Sequence, residues 1–220
     1  MSPDTFDPNY IAVEGVIGVG KTSFAQMLAK RLEADLVTEE VFENPFLRDF
    51  YKNRRRYAFS CQLYFLLSRF RQQQELMVRD LFAQRIVSDY LFAKDHIFAQ
   101  VNLSERELAL YERIAPVLSR DVPRPDLVIY LQASTPVLMQ RIRRRNLTFE
   151  KPIDDDYIAM LNQAYDYYFF NYTETPLLVV KTDDIDFVHN PEHFDDLIGQ
   201  LRQRVTGKKY YSPAGDLTTN

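Results

Sequence analysis

Short apolar runs alternate with longer stretches of helical periodicity along this chain. The runs are Ile11–Val13, Ala34–Val41, Arg85–Asp89, Leu127–Leu131 and Leu177–Val180. Each has the length and the aliphatic content of a buried strand. Between them, Phe24, Met27, Leu28 and Leu32 recur at near-helical spacing. Further helices are predicted to start at Phe46–Leu47, to end at Phe98, and to cover residues 57–77, 104–118, 135–145, 157–172 and 191–205. Apolar positions nearly encircle the 57–77 stretch, which predicts burial on more than one side. Ser104, with Glu107 three residues on, reads as a capped helix start. The alternation predicts a three-layer α/β fold: a five-stranded parallel sheet covered by helices on both faces, within residues 10–205. Residues 1–9 read as a loose lead-in and residues 206–220 as a mobile tail.

The link between the first strand and the first helix carries the strongest chemical signal. Gly15, Gly18, Gly20, Lys21 and Thr22 fill the pattern G-x-x-x-x-G-K-[ST] without a gap. A glycine loop lets backbone N–H groups close on phosphate oxygens, and the helix that follows points its positive end at the same place. Gly15, Gly18, Val19, Gly20, Lys21, Thr22 and Ser23 are therefore the expected phosphate-binding set. Lys21 would reach the β- and γ-phosphates of a nucleoside triphosphate, and Thr22 would hold Mg²⁺. Right-handed crossovers would bring the strand ends to one edge, so that this loop, Glu39 and Asp89 lie together.

Composition narrows the partners. Of 220 residues, 27 are basic and 31 acidic, a net charge of −4, so neither long nucleic acid nor an anionic membrane is expected as a partner. No apolar run approaches membrane-spanning length, the start MSPDTFDPNY lacks the features of a signal peptide, and the one cysteine, Cys61, fits a reducing compartment. The expected location is the cytoplasm. His96, His189 and His193 have no metal-like spacing, and the aromatic run around Tyr165–Phe170 reads as packing. No N-K-x-D guanine motif is present. A small domain with an arginine-rich helix end followed by a loop, residues 141–152, is the pattern of a P-loop kinase with a short arginine-bearing lid that excludes water from the transfer.

From about Tyr10 to Leu201 the chain resembles the deoxynucleoside kinase family, especially its bacterial purine and pyrimidine members. The resemblance is carried by Glu14-Gly15, by Thr38 to Val41, by Gln62, Tyr64, Ser68 and Arg69, by Leu131-Gln132-Ala133, and by Arg141 to Glu150. It implies ATP as phosphate donor, a nucleoside as the small-molecule acceptor, and a homodimer built through long helices. It implies that Glu39 is the general base for the sugar 5′-hydroxyl; without it, Glu39-Glu40 reads equally well as a solvated acidic turn. It further implies that Gln62 bonds the base edge, that Tyr51 and Glu150 bond the 3′-hydroxyl, and that Asp89 orients Mg²⁺. Arg69 with Asp95 would read a purine or cytosine in preference to thymine. Arg141 and Arg145, one helical turn apart, would clamp the donor phosphates as charge develops.

Two positions depart from the family's pattern. Tyr90 stands where an arginine normally contacts the 5′-oxygen and phosphate, and Leu147 where a further lid arginine is common. Arg85 or a lid arginine could compensate. The rival readings are a nucleoside monophosphate kinase, which needs extra basic groups for an acceptor phosphate, and a nucleotide-binding regulatory protein without turnover.

Overall fold

A computed structural model describes residues 8–80, 85–120, 122–203 and 205–212. The lead-in at residues 1–7 and the end of the tail at 213–220 lie outside the described residues.

Strand β1 (Tyr10–Gly15) is buried along its whole length and runs into α1 (Lys21–Leu32). Then follow β2 (Asp35–Val37), α2 (Leu47–Lys52), α3 (Arg54–Asp80), β3 (Ile86–Ser88), α4 (Lys94–Asn102) and α5 (Glu105–Ser119). The second half comprises β4 (Leu127–Gln132), α6 (Thr135–Arg145), α7 (Asp155–Asn171), β5 (Leu177–Lys181), α8 (Pro191–Arg202) and β6 (Lys208–Tyr211). The strands form one sheet in the order β2-β3-β1-β4-β5-β6, and every neighbouring pair is parallel.

The sheet has six strands where the apolar runs predict five. The sixth falls inside the stretch read as a mobile tail. Its sequence, Lys-Lys-Tyr-Tyr, carries no buried run because β6 is an edge strand that is only half covered. Its side chains are anchored all the same. Lys208 Nζ donates to Phe170 O at 2.5 Å, and the Tyr211 hydroxyl donates to Asp196.

Chain direction changes on either side of β1. The crossover through α1 leads outward to the edge strand β2, β3 returns to pair with β1, and β4 pairs on its other side. A parallel sheet opens its ligand crevice at such a switch point, outside the carboxyl ends of the strands. The P-loop after β1, Glu39 after β2 and Asp89 after β3 all sit there. Arg85 precedes β3 at the opposite end, where its carbonyl accepts from Asp35 N at 2.8 Å.

Helix α3 is buried on more than one side over residues 57–70, against α4 and α5 and against the crevice, and leaves one strip to solvent. Leu67 is 50% exposed, while Gln62, Ser68, Arg69, Gln72 and Gln73 are all buried. The buried side chains include polar ones, which point inward because they line or brace the crevice. A small satellite core of Leu66, Ala99 and Tyr111 ties α3 to α4 and α5. Full burial of a side chain such as Leu66 contributes roughly 1.5–3 kcal/mol. Helix α6 ends at Asn146, whose left-handed φ of 52° turns the chain into the lid.

Candidate active site

The glycines place the loop by letting it touch its own scaffold. Gly18 has φ +89°, and a Cβ there would lie 2.7 Å from Ile142 Cγ1 and 2.8 Å from Leu138 O. The loop is thus pressed directly onto α6. Val19 is buried and its amide donates to Val16 O at 3.1 Å, closing the turn. Lys21 Nζ donates to Gly15 O at 2.7 Å and to Val16 O at 3.2 Å, which holds the ammonium inside the loop. Burial, and then the nearby Lys94 ammonium, bring its pKa down to about 8 against the opposing pull of Glu14, Glu39 and Asp89. Thr22 Oγ1 donates to Asp89 Oδ2 at 2.6 Å. A hydroxyl and a carboxylate side by side at the mouth of a phosphate loop are hard oxygen donors suited to Mg²⁺.

Beneath the loop, Glu14 is fully buried and burial pushes its carboxyl pKa up. It accepts from Gly15 N at 2.9 Å, Leu91 N at 2.8 Å and the Tyr165 hydroxyl at 3.1 Å. These bonds fix the P-loop's first residue to the turn after β3. The sequence shows a Glu-Gly pair here but not its anchoring role.

The two acids after β2 part company. Glu40 turns toward α3, where Ser68 Oγ donates to it at 2.6 Å and Arg71 pairs with it. Glu39 turns into the crevice. Its amide donates to Asp89 Oδ1 at 2.8 Å, Arg69 donates to Oε1 through Nε at 2.9 Å and Nη2 at 2.5 Å, and Lys94 Nζ donates to Oε2 at 2.6 Å. Burial pushes the Glu39 pKa up, but Lys94 and Arg69 together outweigh it and hold the carboxyl at about 2. This is no solvated turn: Glu39 is an ionised carboxylate held between two buried cations.

Arg69 also pairs with Asp95, whose other oxygen accepts from the Tyr111 hydroxyl at 2.7 Å. Gln62 is buried and donates Nε2 to Asp95 O at 2.7 Å. Gln62, Arg69, Tyr51, Phe65, Phe98 and Glu150 line a cavity of about 400 Å³ that also opens onto Gly18, Lys21, Thr22 and Glu39. Its size and mixed polar and aromatic lining suit a small organic ligand. Tyr51 stacks on Phe149 at 6.1 Å between centroids and an interplanar angle of 25°, at the end of the cavity where Glu150 lies. Cys61 lines the same cavity, accepts from Asn44 Nδ2 at 3.3 Å, and has its thiol pushed up to about 12 by burial.

The two lid arginines occupy different places. Arg145 lines the cavity and pairs with Glu150, Nη2 to Oε1 at 2.5 Å and Nε to Oε2 at 3.1 Å. Arg141 lies behind the loop. It donates to Val19 O and Thr182 Oγ1 at 3.1 Å each, to Thr182 O at 2.6 Å and to Ile185 O at 3.3 Å. It braces the P-loop against the segment after β5. Leu147 lines the cavity as an apolar group.

Tyr90 is fully buried, and its hydroxyl accepts from Gln73 Nε2 at 3.1 Å in the core beneath α3. It brings no group to the cavity. Lys94, 5% exposed and facing the cavity, does. Sequence reasoning missed Lys94 because it opens α4, where a charged residue ordinarily faces water. Its one sequence signal is its place beside Asp95 in an otherwise apolar stretch, Leu91-Phe92-Ala93 before and Ile97-Phe98 after.

A phosphate loop with its lysine, a carboxylate opposite and a polar pocket beyond define a P-loop phosphotransferase with a small acceptor. The comparisons sharpen this. The sequence profile described as deoxynucleoside kinase matches residues 11–206. A deoxyguanosine kinase of Bacillus subtilis (strain 168) is 33% identical over 201 residues, spanning 89% of this chain and 97% of its own. A deoxyadenosine kinase of Dictyostelium discoideum is 34% identical over 199 residues, spanning 88% of this chain and 79% of its own. A solved deoxyadenosine kinase from M. mycoides with bound dCTP superimposes with a TM-score of 0.75 at 27% identity, over 87% of this chain and 98% of that one. This chain belongs to the deoxynucleoside kinase family.

Proposed function

We propose that this enzyme transfers the γ-phosphoryl group of ATP to the 5′-hydroxyl of a deoxynucleoside, with a purine deoxynucleoside or deoxycytidine preferred to thymidine. The observation that carries the reading is that Lys21 and Glu39 open into the same cavity as Gln62 and Arg69. The P-loop amides, Gly15 to Ser23, and Lys21 would hold the donor's phosphates, with Arg145 facing them from the lid. Glu39 would accept the 5′-hydroxyl proton. Gln62 offers both a donor and an acceptor to a base edge. Arg69, held by Asp95 behind it, would offer its guanidinium to a base with an amidine- or amide-type edge. Tyr51 and Glu150 would bond the 3′-hydroxyl. Thr22 and Asp89 would hold Mg²⁺, which supplies charge neutralisation at the phosphates.

Purine and deoxycytidine use finds support in the names of the relatives, which include a deoxyadenosine/deoxycytidine kinase of Bacillus subtilis (strain 168). An acceptor that already carries a phosphate fits less well, because two carboxylates, Glu39 and Glu150, line the cavity it would enter. Leu67 on α3 is an apolar side chain left to solvent, as expected if the enzyme works as a homodimer. No helix among the described residues is long and apolar enough to cross a membrane, and a cytoplasmic setting suits the free thiol of Cys61.

ADP release from Mg·ATP with each of four deoxynucleosides and with thymidine monophosphate tests the reading. Turnover with deoxyadenosine, deoxyguanosine or deoxycytidine, weak with thymidine, is the expected result. Turnover with thymidine monophosphate alone would make it a monophosphate kinase. A Glu39→Gln variant should lose about 10²–10⁴-fold in kcat while still binding ATP.

A further inference from the structure

Phosphoryl transfer from a nucleotide held at Lys21 to an acceptor near Glu39 must cross the space between the P-loop and β2. Charge builds there on the transferred group and on the attacking oxygen, and a cation placed in that gap would act on both. Among the described residues, four cations besides Lys21 lie near enough to be considered. Arg141 is spent on the carbonyls of Val19, Thr182 and Ile185. Arg145 is held at the lid by a two-point pair with Glu150. Arg69 is shared between Glu39 and Asp95 and packs its guanidinium 5.0 Å over the Phe65 ring. Tyr90 supplies no charge and points into the core.

Lys94 is differently placed. It is the first residue of α4, so its stem leaves a rigid element with its head in the cavity. Among the described residues, Glu39 Oε2 is its one hydrogen-bond acceptor, although an ammonium has three N–H donors. A continuous chain of short bonds runs from it to the phosphate loop: Lys94 Nζ to Glu39 Oε2, Glu39 N to Asp89 Oδ1, and Thr22 Oγ1 to Asp89 Oδ2, all between 2.6 and 2.8 Å. The head therefore sits at the acceptor side of the phosphate site, within the field of Lys21.

We propose that Lys94 is a catalytic residue of the transfer, whose ammonium contacts the attacking 5′-oxygen and an equatorial oxygen of the transferred phosphoryl group. This rests on the kinase reading above. In the step, the 5′-oxygen forms its bond to the γ-phosphorus and the bond from that phosphorus to the β-γ bridging oxygen breaks. ADP leaves with the electron pair, and the hydroxyl proton passes to Glu39. Lys94 stays protonated throughout. As Nζ turns from Glu39 toward the phosphoryl oxygens, one of the two cations leaves the carboxylate at the moment it must accept a proton. The same side chain thus stabilises the developing charge and releases the base. It fills the electrostatic place that Tyr90 leaves without a cation.

The test compares Lys94→Met, Lys94→Gln and Lys94→Arg with the wild-type enzyme. Three quantities are read: kcat, the Kd values of ATP and deoxynucleoside, and the affinity for the ternary complex of ADP, aluminium fluoride and deoxynucleoside. Lys94→Met and Lys94→Gln should each lose about 10²–10³-fold in kcat, with both substrate Kd values within a few-fold. Affinity for the aluminium fluoride complex should fall with kcat, because that complex mimics the transferring group. Lys94→Arg should recover at least tenfold of the loss. Full kcat in either neutral variant would overturn the proposal. So would a loss carried entirely by weaker substrate binding, or an unchanged affinity for the aluminium fluoride complex. If Lys94→Met does not fold, Lys94→Gln and Lys94→Arg decide by the same measures. Absence of wild-type turnover with every deoxynucleoside would overturn the kinase reading itself, and with it the role of Lys94.

Discussion

Thr22 Oγ1 and Asp89 Oδ2 are 2.6 Å apart, although 67 residues separate them in the chain. This bond joins the start of α1 to the end of β3, and through Glu39 N it reaches the end of β2 as well. Two strand ends and the start of α1 are thereby locked around one carboxylate.

Asp89→Asn keeps the shape and removes the charge. The variant should need more Mg²⁺ for half-maximal rate and lose about 10²-fold in kcat, while metal-free ATP still binds through the loop amides and Lys21. A Mg²⁺ titration of the rate at fixed ATP checks this. An unshifted Mg²⁺ requirement would remove Asp89 from the metal site.

Glu39 makes stability depend on pH in an acidic window. Its folded pKa, about 2, lies below the ordinary 4.5. A depressed carboxyl contributes stability that is complete above the unfolded value and is lost as pH falls through the folded one. The window is therefore pH 4.5 down to about 2, and the contribution is on the order of 3 kcal/mol. Urea midpoints at pH 5, 3 and 2 should fall more steeply for the wild type than for Glu39→Gln across that range. Parallel curves would contradict the assignment.

Arg69 neutralises two buried acids at once, Glu39 and Asp95. Removing one partner of a buried ion pair strands the other charge, at about 3–5 kcal/mol. Arg69→Met should lower stability by that order in urea unfolding at neutral pH. It should also raise KM for the preferred deoxynucleoside more than KM for ATP, because its ion-pair partners, Glu39 and Asp95, belong to the proposed acceptor side. Equal changes in both KM values would assign Arg69 a purely structural part.

Gly18→Ala tests the contact between the P-loop and α6. The new methyl would meet Ile142 Cγ1 and the Leu138 carbonyl at under 3 Å, at a φ of +89° that side chains rarely adopt. The loop must then lift away from α6, with a loss of about 1–3 kcal/mol in stability. ATP affinity should fall with it, read by calorimetry, whereas deoxynucleoside affinity should hold. A variant with wild-type ATP affinity would show that the loop's fit against α6 does not shape the donor site.

The local signals in this chain were strong where local physics dominates. The glycine spacing before Lys21 and Thr22 dictates a phosphate loop whatever surrounds it, because only backbone geometry and a helix start are involved. The apolar runs of β1, β4 and β5 dictate buried parallel strands, because both faces must be covered. The edge strand β6 escaped notice because a half-exposed edge can be built from Lys and Tyr, which leave no apolar run.

The site divides along the same line. Resemblance in the sequence pointed to Glu39, Gln62, Arg69, Asp95 and Glu150; the fold brings four of them to one cavity and sets Asp95 behind Arg69 as its ion-pair partner. The inward face of α3, the braced position of Arg141, the burial of Tyr90 and the pairing of Lys94 with Glu39 were decided by tertiary packing. Each depends on which partner lies across a gap, and charge pairing across 55 residues, as between Lys94 and Glu39, leaves no periodic trace in a single chain. The sequence by itself determined a loop of phosphate-binding form at the end of β1. The tertiary structure decided which charges face it, because electrostatic energy follows distance in space and not separation along the chain.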